Sequence, residues 1–262
     1  MISKEYPQLL RYDMGDGVTA FSTMRRGGVS VGNYASFNIN YYCGDDQYHV
    51  EANRMLLSEL LNLTPDHLVY PHQVHGVEVR QIGKELFSLT PADRQQFLEG
   101  ADAVMTDLSG VCVGVSTADC IPILLYDERV HAVCAVHAGW RGTVQRIVQH
   151  AVTAMRQAFQ TDTTHLKVTI GPGISLENFE VGDEVYDRFA AEGFSMDAIA
   201  KKYKKWHIDL WECNRLQLLD MGVSPVNVFV TRICTYAQTE DFFSARRLGV
   251  NSGRIFSGIL LR

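Results

Sequence analysis

The stretch from Val113 to Gly142, VGVSTADCIPILLYDERVHAVCAVHAGWRG, constrains the fold of this chain more than any other. It reads as a β-hairpin. An apolar run from Ile121 to Tyr126 leads into a charged turn at Asp127, Glu128 and Arg129, and a Val- and Ala-rich strand returns from Val130 to Val136. A two-residue loop at Glu128-Arg129 would pair Asp127 with Val130 and Tyr126 with His131, setting Cys120 opposite His137. Cross-strand neighbours hold their Cβ atoms about 4.5–5.5 Å apart, close enough for a thiolate and an imidazole to share a metal ion or a proton. Glu-Arg lacks the Gly or Asn that type I′ and II′ turns favour. A slip of one residue would send the two side chains to opposite faces.

The hairpin ends are polar where its strands are apolar. Asp119-Cys120 follows the run Val111 to Val115, and His137 precedes Ala-Gly-Trp-Arg-Gly, a small-residue turn before a helical pattern. A lone cysteine in an apolar run is ordinarily a small buried hydrophobe, and a lone histidine at a strand end is ordinarily just hydrogen-bonded. It is the opposed pair that points to a site.

Several function classes are excluded at this level. The net charge is −6 and the one dense basic run, KKYKK at 201–205, reads as a solvated helix face, so nucleic acid is not an expected partner. No run approaches the roughly 18 apolar residues of a membrane span. The N-terminus, MISKEYPQLLRYDMGDG, lacks the apolar core of a signal peptide, and the expected location is cytoplasmic. The six cysteines are scattered without a CxxC; Cys112 and Cys134 lie within apolar strands as core, and a disulfide framework is not expected.

The remaining elements alternate. Strands are predicted at 18–23, 68–70, 77–82, 101–106, 167–170, 206–210 and 227–231. Helices are predicted from Asp46 through Leu60, over Thr143–Phe159, over Phe179–Phe189 and over Trp211–Met221, with 84–99 helical or irregular. Residues 110–170 and 225–262 suggest two α/β halves, without internal sequence similarity. Hairpins among helices argue against a purely parallel sheet. There is no GxGxxG, GxxxxGK[ST] or GxSxG, which disfavours a Rossmann site, a P-loop and an ordinary α/β hydrolase.

The candidate constellation is His75, Cys120 and His137, each at the edge of a predicted strand. Two imidazoles and a thiolate leave a fourth position open, which fits catalytic zinc. The same set fits a copper site of the His₂Cys type. Without metal, Cys120 as nucleophile and His137 as base would make a cysteine hydrolase or amidase. The glycine turn after Val18–Thr23 carries Arg25 and Arg26; such a turn can present N–H groups and guanidinium to an anion. Arg26 reads as a solvated surface residue.

QVHG at 73–76, TADCIP at 117–122, HAGWRG at 137–142, STMRRGGVS at 22–30 and FFSARR…GR at 242–254 occur in order across nearly the whole chain. Together they resemble the YfiH/YlmD family, also called the laccase-domain or polyphenol oxidase family. The resemblance implies one α+β domain over residues 1–262, a four-layer α/β/β/α sandwich with mixed sheets. It implies zinc held by His75, Cys120 and His137, and Arg25 and Asn38 in a substrate pocket. It further implies phosphorolysis of inosine, adenosine and methylthioadenosine, and adenosine deamination. Purine nucleosides and phosphate would be its ligands, with Arg25 or Arg246 as the phosphate-holding residue. In zinc deaminases activated water attacks the purine C6, and Asp119 beside Cys120 would be a partner of the site or simply a turn residue. His72 lies outside the shared QVH pattern. The family usually reads Ser-Thr-Arg before the glycines, whereas here Met24 separates Thr23 from Arg25.

The laccase label also implies copper. A multicopper oxidase draws on many histidines, largely as His-x-His pairs; this chain has nine histidines and no such pair. Four-copper chemistry is therefore rejected, while a single copper supporting phenol oxidation stays open, since copper outcompetes zinc at most such sites.

Overall fold

Three apolar layers separate two sheets and the helices outside them. The structure is a computed structural model describing residues 6–262. Its strands are β1 (Leu9–Tyr12), β2 (Val18–Thr23), β3 (Leu68–Val69), β4 (Val79–Gln81), β5 (Ala103–Thr106), β6 (Cys112–Thr117), β7 (Ile121–Asp127), β8 (Ala132–Ala138), β9 (Lys167–Ile170), β10 (Glu180–Val181), β11 (Ala200–Lys202), β12 (Trp206–Ile208), β13 (Val228–Val230) and β14 (Ile255–Leu261). Its α-helices are α1 (Gln47–Leu61), α2 (Pro91–Phe97), α3 (Trp140–Val144), α4 (Ile147–Phe159), α5 (Asp183–Ala191), α6 (Met196–Ile199), α7 (Leu210–Asp220) and α8 (Ala245–Leu248). One sheet runs β1-β2-β14-β6-β3 and the other β13-β9-β7-β8-β5-β4; β10, β12 and β11 form a small third. Both large sheets mix parallel and antiparallel pairs.

Strand alternation assigns side chains to layers. Val113 and Val115 of β6 meet Leu124, Tyr126, Val133 and Ala135 of the second sheet. Cys112 points the other way, with Phe21, Phe256 and Leu260, onto Leu57 and Leu61 of α1. Ile123, Leu125, Cys134 and Val136 pack outward on Val148, Ala151, Val152 and Met155 of α4 and on Trp211 and Leu218 of α7. Successive residues serve opposite faces because the strand period is two. The result is α1, sheet, sheet, then α4 and α7: the α/β/β/α order.

The β7–β8 hairpin forms, but two residues away from the expected register. Asp127 pairs with Ala132 and Pro122 with His137. The loop is four residues, Glu128 to His131; the Asp127 carboxylate accepts the Arg129 N–H at 3.0 Å, and His131 takes φ +53°. That local hydrogen bond lets the charged turn extend where a two-residue turn had no Gly or Asn to support it. An even slip preserves faces, so Cys120 becomes a diagonal rather than a direct neighbour of His137.

Three further expectations are corrected. The segment after His137 is a helix start: Gly139 is the N-cap of α3, and Arg146 at φ +66° breaks α3 from α4, where one helix was expected over Thr143–Phe159. KKYKK is exposed but not helical; it contributes to β11 and a bend before β12. The two supposed halves do not exist as units, because β14 lies between β2 and β6 while β13 joins β9 in the other sheet. All six cysteines are free thiols. Among the described residues no helix is long and apolar enough to cross a membrane.

Candidate metal centre

His75, Cys120 and His137 converge. One ligand atom from each lies within 4.8 Å of the others, the only such His, Cys or acidic cluster among the described residues. Cys120 Sγ is 3.8 Å from His75 Nε2, and the two imidazoles meet edge to face with centroids 4.8 Å apart. His137 comes from the end of β8, Cys120 from the residue before β7, and His75 from the loop between β3 and β4.

Asp102, just before β5, builds the support and is missed by sequence reading. It is fully buried. Its Oδ1 accepts His137 Nδ1–H at 2.7 Å and the His75 N–H at 2.9 Å, while Oδ2 accepts the N–H groups of Val74 and Gly76. These bonds hold the 74–76 turn, in which His75 takes φ +63°. Because Asp102 occupies His137 Nδ1, the other ring nitrogen is left for a ligand, the usual arrangement of a metal-binding histidine. Gln73 anchors the same loop: its amide donates to the Ser116 carbonyl at 2.8 Å and accepts the Ser116 N–H at 2.7 Å, extending the edge of β6 as a strand would. Only the charge of Asp102, inside an otherwise apolar ADAVMT, could have flagged it.

Gly139 leaves the space the cluster needs. A Cβ there would lie 2.8 Å from His75 Cδ2 and 3.1 Å from Cys120 Sγ, although its φ of −69° suits any residue.

The cluster forms the floor of a cavity of about 330 Å³, at the small end of ligand pockets, which run to about 1,000 Å³. Its walls include Tyr42, His72, Gln73, Ser116, Thr117 and Arg254. Arg25, Asn38 and Arg246 are not part of that wall. Arg25 donates to the carbonyls of Ala35 and Thr239, at 2.6 and 2.7 Å, and lies over the Phe243 ring. Asn38, fully buried, accepts the N–H groups of Arg254 and Asn40 and donates to Asp45. Arg246 donates to the Glu180 carbonyl. Asp119 accepts Thr235 Oγ1–H and the Arg246 N–H, each at 2.7 Å.

Electrostatics favour an anionic sulfur. Burial alone would push the Cys120 thiol up, but the neighbouring His137 charge and hydrogen bonds from both imidazoles outweigh it and bring it down to about 6. Burial would lower His137, yet the Cys120 charge and the Asp102 hydrogen bond raise it. Both shifts favour a thiolate–imidazolium pair in the metal-free site, in which a divalent cation can replace the proton on His137. Two nitrogens, a sulfur, an open cavity and a pre-oriented histidine fit a metal ion.

Residues 19–262 match the family model described as multi-copper polyphenol oxidoreductase laccase. The chain belongs to that family. Within it, a Bacteroides thetaiotaomicron protein named purine nucleoside phosphorylase is 47% identical over 93% of this chain and 92% of its own. Adenosine deaminase RL5, from an unknown prokaryotic organism, is 41% identical over 93% of this chain and 94% of its own. The crystal structure of YlmD from Geobacillus stearothermophilus superposes with a TM-score of 0.89 at 31% identity, covering 98% of this chain and 99% of that one. The α+β, four-layer reading and the YfiH/YlmD resemblance therefore hold. The family's multi-copper description fits this laccase-like chain poorly, since the described residues form one N₂S cluster and the sequence has no His-x-His pair.

Proposed function

We propose that this protein is a zinc-dependent purine nucleoside phosphorylase, acting on inosine, adenosine and methylthioadenosine, with adenosine deaminase activity, working in the cytoplasm. The carrying observation is the convergence of His75, Cys120 and His137 on the floor of one cavity. The relatives named for these two activities support the reading at 47% and 41% identity.

In phosphorolysis a phosphate oxygen bonds to the ribose C1′ as the bond from C1′ to N9 breaks, and the base leaves with the electron pair and takes up a proton. In deamination water adds at C6 and ammonia leaves. Zinc held by the three side chains would supply Lewis acidity at its open position. Asp102 fixes the ring of His137, and with Gln73 it fixes the loop that carries His75. Asn38 ties Asn40 and Arg254 into the wall, and Arg25 and Arg246 clamp the segments behind it. A wall clamped in this way limits the motion of a bound nucleoside over the metal ligands. Copper binds such a set more tightly than zinc, so copper-loaded protein would be the source of any phenol oxidation.

A metal-free thiol hydrolase using Cys120 and His137 is favoured by one observation, the thiol lowered by its imidazole neighbours. One experiment separates the readings: metal analysis of purified protein, with a nucleoside panel assayed with and without phosphate. Bound zinc, phosphate-dependent release of hypoxanthine from inosine, and loss of both on chelation are expected. Activity surviving chelation would favour the thiol hydrolase, and turnover of no nucleoside would end the nucleoside reading.

A further inference from the structure

The cavity has one wall unlike the others. Tyr42 and His72 lie face to face, with ring centroids 4.0 Å apart and planes inclined by 22°, and both line the cavity above the metal ligands. The pair is braced from behind. His72 Nδ1 bonds the Glu99 carboxylate at 2.7 Å. The His72 backbone donates to Leu98 and accepts from Gly100, and the Tyr42 N–H donates to the Asn40 side chain at 2.7 Å. Tyr42 nevertheless keeps 39% of its surface exposed.

The two longest polar side chains of the wall are engaged with the protein, whereas the buried Ser116 and Thr117 hydroxyls have no partner within it. Both ends of the Gln73 amide are taken up by Ser116, and the Arg254 guanidinium donates to the carbonyls of Val250, Ser252 and Gly253. Besides those two hydroxyls, the wall offers a planar ligand an aromatic face held rigid before it arrives. Faces of this kind bind heteroaromatic bases by stacking, without hydrogen-bond readout.

We propose that the Tyr42–His72 stack is the base-recognition platform of the cavity, taking the purine ring against its aromatic surface while the sugar lies toward His75, Cys120 and His137. This rests on the nucleoside reading above. It makes Tyr42 a specificity-determining residue: it selects the heteroaromatic part of the substrate and leaves the sugar phosphate to other groups.

Phosphorolysis runs in both directions, which allows a test with an internal control. Metal-loaded wild type, Tyr42→Leu and Tyr42→Phe are assayed on inosine with phosphate, and in reverse on hypoxanthine with ribose 1-phosphate. Equilibrium dialysis measures hypoxanthine binding to each protein, and zinc content reports the integrity of the floor. Loss of one stacking face should raise KM for inosine and hypoxanthine, and Kd for hypoxanthine, by about tenfold. KM for ribose 1-phosphate and zinc content should stay as in wild type, and Tyr42→Phe, which keeps the ring, should recover most of the affinity. An unchanged hypoxanthine Kd in Tyr42→Leu, or equal rises in KM for base and sugar phosphate, would overturn the platform. A wild type that binds hypoxanthine through Tyr42 yet turns over no nucleoside would end the phosphorylase reading and keep the platform. A wild type that neither binds nor reacts would end both.

Discussion

Asp102 holds His137 at two points: its carboxylate accepts the ring Nδ1–H at 2.7 Å, and its main-chain carbonyl accepts the His137 N–H at 2.8 Å. Backbone pairing therefore places the histidine and the side chain orients it, from one residue just before the neighbouring strand β5. The same carboxylate organises the loop that carries His75. Two of the three candidate metal ligands thus depend on a residue that is not itself in the ligand cluster.

Asp102→Asn should weaken metal binding by about 10- to 100-fold, the usual effect of removing such a partner. The amide nitrogen would face N–H donors that the carboxylate now accepts. Competition with a chromophoric chelator measures the affinity, and an unchanged affinity would contradict the supporting role.

The same carboxyl gives a pH dependence to the metal-free protein. Burial alone would raise its pKa, but the hydrogen bond and charge of His137 and the N–H groups of Gly76 and Val74 outweigh that and hold it below the ordinary carboxylate range. A depressed folded-state pKa contributes stability that is present above the unfolded value of about 4 and lost as pH falls through the folded one. Denaturant melts of the apo protein between neutral and acid pH should show this loss in wild type and a smaller one in Asp102→Asn.

Cys120→Ala should abolish bound metal and turnover together. Cys112→Ala and Cys134→Ala, both fully buried in apolar layers, should keep both at a stability cost of about 1 kcal/mol. Full activity in Cys120→Ala would sink the metal site and the thiol nucleophile at once.

Gly139→Ala isolates the steric demand of the cluster. The backbone there tolerates alanine, so thermal stability should change little, but the added methyl would press on His75 and Cys120. Zinc titration should show weakened binding at nearly unchanged Tm; wild-type affinity would mean that the ligands have more room than the distances give.

Arg25→Lys should lower phosphorolysis and deamination in parallel, with apparent KM for phosphate unchanged, because Nε and Nη1 hold the Ala35 and Thr239 carbonyls and the residue does not line the cavity. Losing that fork should cost about 2 kcal/mol of stability, the scale of hydrogen bonds to charged groups. A selective rise in KM for phosphate would return Arg25 to the phosphate site.

Local pattern was enough for much of the chain. Val18–Thr23 and Lys167–Ile170 read as strands at their observed bounds, and Asp46 before an apolar period marked the start of α1, where its side chain accepts the Tyr48 N–H. Cys120 and His137 stood out because polar residues ended an apolar hairpin, and the face they share survived a register error because an even slip keeps faces. His75 joins them only by its place at the edge of a predicted strand and in the QVHG motif, since nothing in its loop tells where the side chain points. Its left-handed backbone is held by Asp102, 27 residues away in sequence. The sequence offers Arg25 and Arg246 as anion ligands but does not show which of their donors are engaged; Thr239, 214 positions from Arg25, and Glu180, 66 from Arg246, each take one guanidinium nitrogen. The aromatic wall likewise exists only in the fold, since Tyr42 and His72 belong to separate loops and Glu99 fixes the second from a third segment. Short-range periodicity encodes which residues are strand, helix or core, because those choices are made within a few residues. Which polar groups are spent and which are left for chemistry depends on partners that only tertiary packing brings within hydrogen-bonding distance.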